Sequence, residues 1–295
     1  MLLGNNSSTK IVLFLYIIKK ILTFVAKLVM MRILTCLLFL CCIVGDSGHL
    51  LAQKKEWKLV FSDEFNQPNG SQPDPEKWGR GRRGVAMWNR WISHSERVVY
   101  IKNGCLVCRA IPNKYEKTDT ARMLTGAVST KGKFHFTYGK VEVRMKVKPR
   151  EGSFPAAWMM GVTKENPDWY REIDIVEVKG MQKAFNAAYT HFNSVLKRKD
   201  GPKYFFKNIL ETDQWHIYGL EWSPTELVWT IDGKVTGVYR KSSDQSLLKD
   251  GQWPYDYPMD IILNQSVGDN TWEKGVDTRK TYETLFDWVR VYQLK

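Results

Sequence analysis

The chain has 295 residues, 43% of them hydrophobic, and a formal charge of +13. It is long and apolar enough to bury a substantial core in one large domain or two small ones. The positive excess favours anionic partners through long-range attraction, but no helix-turn-helix, zinc or RNA-binding pattern accompanies it, so nucleic acid is not expected as a partner.

At the N-terminus, Ile11 to Ile18 and Ile21 to Val29 are apolar runs broken by Lys19 and Lys20. A second unit starts at Met31-Arg32, runs apolar from Ile33 to Val44 and ends in a polar, small-residue stretch at Leu51-Ala52-Gln53. A positive start, a short apolar centre and a cleavage region predict a secretory signal peptide over about 30–53. Residues 1–29 then form an upstream extension, with the true start at Met30 or Met31. A signal anchor is one alternative, since the two first runs together approach the length of a membrane span, although Lys19, Lys20 and Lys27 interrupt them. A lipoprotein acylated on Cys41 or Cys42 is another, but Leu40 and Cys41 before them are larger than the small residue such a site expects. The signal reading makes the mature protein secreted, periplasmic or cell-surface and without a membrane span; separately, a monomer is expected.

Three of the five cysteines, Cys36, Cys41 and Cys42, fall in that segment. Cys105 and Cys108 remain, in a strand pattern that turns positions three apart to opposite faces. With no second Cys/His pair to complete a zinc site, they read as packed thiols. Residues 1–52 hold five Lys/Arg and one acidic residue, leaving about +9 on the rest. A sulfated or sialylated glycan or an acidic cell surface fits that charge, and so does simple solubility.

Beyond residue 54 strand follows strand. Trp57 to Phe61 is apolar with one polar interruption. Val98 to Ile101 leads into Asn103-Gly104 and on to Leu106-Val107, a hairpin signal. Phe134, Phe136 and Tyr138 alternate with polar residues and predict a strand. Val141, Val143, Met145 and Val147 alternate with Glu142, Arg144, Lys146 and Lys148, so one face packs and the other meets water or a cleft. Leu227 to Ile231, Asp232-Gly233 and Val235 to Tyr239 form a second hairpin, and Phe286 to Leu294 the last strand. Helical periodicity is confined to a short stretch at Ser243 to Lys249. Without a linker, 54–295 reads as one domain, an all-β antiparallel sandwich or barrel. The 12 Trp and 13 Tyr either fill its core or stack on sugar rings, whose C–H faces suit aromatic surfaces.

Chemistry concentrates in Trp169-Tyr170-Arg171-Glu172-Ile173-Asp174-Ile175-Val176-Glu177-Val178. On a strand Glu172 and Asp174 share a face, whereas Glu177, five past Glu172, faces the other way. One β-bulge between Asp174 and Glu177 restores the parity, sending Ile173 inward with either Ile175 or Val176. Three acids on one face repel one another and raise at least one pKa. A pair of carboxyls flanking a glycosidic bond is a use for such crowding, one as nucleophile and one as proton donor, while the third holds them in different protonation states. An acidic triplet on a strand is otherwise a solvated face.

This stretch resembles the bulged E-x-D-x-x-E signature of family 16 glycoside hydrolases, which include laminarinases and agarases. Phe61-Ser62-Asp63-Glu64-Phe65-Asn66, Tyr138 to Arg144, Phe154 to Met160, Trp215 to Trp222, Asp232-Gly233, Leu263 to Gly268 and Asp287 to Gln293 extend the likeness over about 57–295. The resemblance implies a concanavalin A-like β-jelly-roll with a sugar cleft on its concave face, and no cofactor for catalysis. It implies Glu172 as nucleophile, Glu177 as acid/base and Asp174 as their assistant, with Trp158 on the cleft floor and His191 and Asn264 reaching it; a structural histidine and a turn role are the plain alternatives for the last two. Trp88 and Arg90, in Trp88-Asn89-Arg90-Trp91, suit a sugar subsite as well as they suit loop packing. Trp169 and Tyr170 stand where they rim the cleft, and Trp272 is a weaker candidate. A structural calcium on the convex face is implied at Glu64, Gly104 and Asp287.

The expected function is an endo-acting retaining β-glycosidase cutting a polysaccharide internally, of laminarinase type on β-1,3 or mixed β-1,3/1,4-glucan. The alternatives are an endo-β-galactosidase on mucin O-glycans, keratan or algal galactans, and a non-catalytic glycan-binding module on the same sandwich. The intact acidic triplet argues against the last.

Overall fold

A computed structural model describes residues 16, 18–31, 56–114, 117–161, 170–269 and 273–295. The chain divides into two units, Met1–Lys55 and Glu56–Lys295. In the first, residues 18–31 are helical, and residues 32–53 of the expected signal segment lie outside the described residues. Among the described residues no helix is long and apolar enough to cross a membrane.

The second unit is a β-sandwich. Its strands are β1 (Trp57–Asp63), β2 (Gly79–Arg80), β3 (Val99–Lys102), β4 (Cys105–Pro112), β5 (Met123–Ser129), β6 (Gly139–Val147), β7 (Ser153–Gly161) and β8 (Arg171–Val178). They continue as β9 (Lys183–Thr190), β10 (Phe205–Ile209), β11 (His216–Trp222), β12 (Glu226–Ile231), β13 (Lys234–Arg240), β14 (Met259–Val267) and β15 (Tyr282–Leu294). One sheet runs β10-β9-β8-β7-β14-β5, with β2 on β5. The other runs β4-β15-β6-β11-β12-β13, with β3 on β4 and β1 on β15. Pairing of β4 with β5 joins the two at one margin, and every pairing between these strands is antiparallel.

Local signals carry much of this. Along β6 burial alternates residue by residue, and Val141, Val143, Met145 and Val147 enter the core. There they meet Met159 of β7 and Ile173 of β8 from the opposite sheet. Asn103 and Gly104 take φ of 52° and 71°, and Asp232 and Gly233 take 50° and 77°. Positive φ at both positions is what a two-residue turn between right-twisted strands needs. A short helix, Gln245–Lys249, is capped by Asp244, whose carboxylate accepts from the Ser246 amide at 2.8 Å.

The strand expected at Phe134 to Tyr138 is not one. Only Phe136 bridges, to Met259, and the left-handed Tyr138 (φ 57°) turns the chain before β6 begins. The alternating rings instead pack on one another and on the core, with Phe134 stacked on Phe61 at 4.4 Å. Cys105 and Cys108 are buried free thiols, Cys108 in the main core and Cys105 beside Asp287.

Candidate active site

Against β9, Asp174 lies opposite Ala187 and Glu177 opposite Phe185, so three steps along β8 match two along its neighbour. The extra residue is a β-bulge. It brings Glu177 onto the face of Glu172 and Asp174. It also sends both Ile175 and Val176 into the core, where each is fully buried, rather than one of the two.

A bulge takes main-chain groups out of the ladder, and buried carbonyls must find donors elsewhere. Trp229 Nε1 donates to the oxygen of Asp174 at 2.8 Å, and Asn186 Nδ2 to that of Ile175 at 2.7 Å. Asn186 is itself held, its Oδ1 accepting from Asn208 Nδ2 and Thr236 Oγ1 at 2.9 Å each. The Tyr255 hydroxyl lies 3.0 Å from the main-chain oxygens of both Glu172 and Tyr189, tying β8 to β9.

The registers set the floor in rungs. Glu172 lies between Tyr189 and Met160, Asp174 between Ala187 and Trp158, and Glu177 between Phe185 and Ala156. Asn264 of β14 stands beyond Ala156. Over this floor opens a cleft of about 760 Å³, walled by Trp88, Phe154, Trp158, Tyr170 and Tyr189. Trp88 meets Trp158 edge to face with centroids 4.9 Å apart. Trp158 Nε1 donates to Asn264 Oδ1 at 2.8 Å, Asn264 Nδ2 donates to Ser266 Oγ at 3.0 Å, and the Ser266 hydroxyl donates to the main-chain oxygen of Trp88. This chain fastens the Trp88 loop to the floor.

Arg90 is not brought to the cleft. It stacks on Trp91 at 4.2 Å and donates to the Gly268 oxygen at 2.9 Å, so its charge anchors the loop to the segment after β14. His191 does not line the cleft either, although strand parity would put it on the side of Tyr189. The chain leaves the ladder at Thr190 for a π-helical turn, His191–Val195, capped by Thr190 and Asn193, and Ser194 and Val195 are the residues that reach the cleft. Trp169 and Trp272 lie outside the described residues. The implied calcium ligands do not fit that ion: Glu64 is held bidentately by Arg290 at 2.9 Å, and Asp287 pairs with Arg144. Two carboxylates already neutralised by guanidinium groups, with one glycine carbonyl, are a poor oxygen cage for a hard cation.

Burial dominates the electrostatics. Glu172 is pushed up to about 7 by desolvation, against the Tyr170 hydroxyl, which donates to its Oε2 at 2.6 Å and pulls it down. Asp174 rises well above the ordinary carboxyl range through burial and then through the charges of Glu177 and Glu172. Glu177 is raised by burial and lowered by Lys179, whose Nζ lies 3.6 Å from its Oε2. All three are thus held above the ordinary carboxyl range, and their mutual repulsion disfavours ionising all of them together. Sequence parity pointed to the triplet but not to Lys179, although Glu177-Val178-Lys179 is itself an i, i+2 pair on one face. Trp229, Asn186 and Tyr255 carried no local signal.

The model of glycosyl hydrolases family 16 matches residues 91–290. A β-glucanase of Rhodothermus marinus is 30% identical over 260 residues, which are 80% of this chain and 85% of that one. A keratan-sulfate endo-1,4-β-galactosidase of Sphingobacterium multivorum is 29% identical over 81% of this chain, which spans 56% of the length of that relative. The crystal structure of the laminarinase from Rhodothermus marinus superposes with a TM-score of 0.70 at 26% identity, covering 82% of this chain and 100% of that one. With its sandwich, its bulged acidic strand and the match over most of its length, the chain belongs to family 16 of the glycosyl hydrolases.

Proposed function

We propose that the protein is an endo-acting, retaining β-glycosidase whose favoured substrate is β-1,3-glucan or mixed β-1,3/1,4-glucan, acting as a monomer outside the cytoplasm. The observation that carries this reading is the bulge that sets Glu172, Asp174 and Glu177 side by side on the floor of an aromatic-walled cleft. Glu172, ionised, attacks the anomeric carbon while Glu177, protonated, gives its proton to the leaving oxygen. The glycosyl ester on Glu172 is then opened by water, which Glu177 deprotonates. Asp174, buried between the two, holds or releases a proton so that they stay in opposite states. The partly exposed Trp88 offers a ring for sugar stacking, and the buried Trp158 supports it edge to face. The β-glucanase relative supports a glucan substrate.

A second reading, an endo-β-galactosidase on keratan-like or mucin-type chains, draws on the keratan-sulfate relative and on the positive charge, which suits sulfated or sialylated polymers. Incubation of the purified protein with laminarin, barley glucan, agarose, porphyran, keratan sulfate and mucin O-glycans, read by product mass, separates the two. Oligosaccharides from the glucans alone establish the first. Products from galactose-containing chains alone establish the second, and none from any substrate overturns both.

A further inference from the structure

Beyond the carboxyl triplet the floor carries one more charged rung. Lys179 follows Glu177 by two residues and shares its face, and both side chains are nine-tenths buried. Its ammonium lies 4.9 Å from the ring centre of Phe185, 5.4 Å from that of Phe205 and 5.7 Å from that of Phe154. Phe185 and Phe205 stack on each other at 5.0 Å, and Phe154 also walls the cleft. These rings come from β9 and β10 on one side of β8 and from β7 on the other, so three strands build a box around one amine. Ring faces attract a cation, and more strongly where water is excluded. A lysine taken this far from water loses much hydration and is kept charged only by such partners.

We propose that Lys179 is a positioning residue for proton transfer: its ammonium, held by the phenylalanine box against Glu177, stabilises the carboxylate that forms when Glu177 gives its proton to the leaving sugar oxygen. This rests on Glu177 being the acid/base. The balance is simple. The proton moves from Glu177 to the glycosidic oxygen, the C–O bond breaks towards that oxygen, and the new negative charge on Glu177 appears 3.6 Å from a fixed positive one. Other ionisable groups around the pair are Glu172 and Asp174 on β8, Tyr170 just before it, Tyr189 on β9, Glu273, whose charge also acts on Lys179, and Lys183 at the start of β9, whose main-chain oxygen accepts from the Lys179 amide at 3.0 Å. β7 and β10 bring rings to the box. Lys183 is exposed and acts on Glu273, whereas Lys179 is the cation set against Glu177, a counter-charge within a cluster that otherwise resists forming a further carboxylate.

The test is the pH profile of kcat/KM for Lys179→Met and Lys179→Arg, on aryl β-glycosides of laminaribiose, or of N-acetyllactosamine if galactan proves the substrate. Loss of the cation makes Glu177 a weaker acid, so the alkaline limb in Lys179→Met is expected to move up by roughly one pH unit. Turnover of poor leaving groups is expected to fall at least ~10-fold more than that of 2,4-dinitrophenyl glycosides. Lys179→Arg, which keeps the charge, is expected to keep the limb close to wild type. If Lys179→Met does not fold, Lys179→Gln takes its place against Lys179→Arg. A folded neutral variant with an unmoved limb, or with equal loss on all leaving groups, overturns the proposal. So does an arginine variant that shifts as far as the neutral one. Glu177→Ala on the same substrates keeps the premise separate: if it fails to spare good leaving groups, the acid/base reading itself falls.

Discussion

The indole N–H of Trp229, on β12 of one sheet, donates to the main-chain oxygen of Asp174, on β8 of the other, at 2.8 Å. Trp229 is fully buried, so the bond crosses the core. It lands on Asp174, the first residue of the bulge step, and supplies that carbonyl with a donor from the opposite sheet. The geometry of the acidic face is thus braced from behind by a residue 55 positions away.

Replacing Trp229 with Phe keeps a ring in the core but takes the indole donor from that carbonyl. The expected cost is about 1–3 kcal/mol of stability, measured by urea unfolding, together with a lower kcat as the bulge relaxes. Unchanged stability and kcat would show that the bulge does not depend on this bond.

Glu172→Gln removes the nucleophile without changing side-chain shape. Activity is expected to fall at least ~10,000-fold, with oligosaccharide affinity by calorimetry near wild type. Activity close to wild type would displace Glu172 from its role.

Tyr170 lowers the Glu172 pKa through its 2.6 Å hydrogen bond. Tyr170→Phe leaves burial unopposed, so Glu172 holds its proton to higher pH. Because attack needs the ionised form, the acidic limb of the kcat/KM profile is expected to move up by roughly one unit. A limb that stays in place, or moves down, contradicts the coupling.

Burial of Glu172 also links stability to pH. Its pKa rises from 4.5 in the unfolded chain to about 7 in the folded one, so the folded state holds a proton that the unfolded state has released in that window. Unfolding free energy therefore falls as pH rises: this contribution is fully present below 4.5 and lost as pH passes 7. Glu172→Gln escapes the cost of the buried charge. It is expected to raise Tm at pH 8, by an effect of up to about 3 kcal/mol, and to leave Tm near wild type at pH 4. Equal Tm differences at the two pH values would refute the linkage.

By itself the sequence determined what local chemistry controls. Alternating apolar residues choose the buried face of β6, because side-chain direction on a strand repeats every two residues. Asn-Gly and Asp-Gly choose their turns, because both central residues tolerate positive φ. The spacing of Glu172, Asp174 and Glu177 demands a bulge if the three are to share a face, and the bulge is there. The same local logic misplaced Phe134 to Tyr138, where period two marks rings packed on a core and not a ladder. Only the tertiary structure decided which distant groups meet the acidic strand: Trp229 and Asn186 on the carbonyls of the bulge, three phenylalanines around Lys179, Arg90 turned from the cleft towards Gly268, and arginines on Glu64 and Asp287. These depend on strand order and on how two sheets close over one core. Most of these contacts join residues tens to hundreds of positions apart, and the nearer ones, Asn186 to Ile175 and Phe185 to Lys179, exist only because β9 pairs with β8, so no local pattern encodes them.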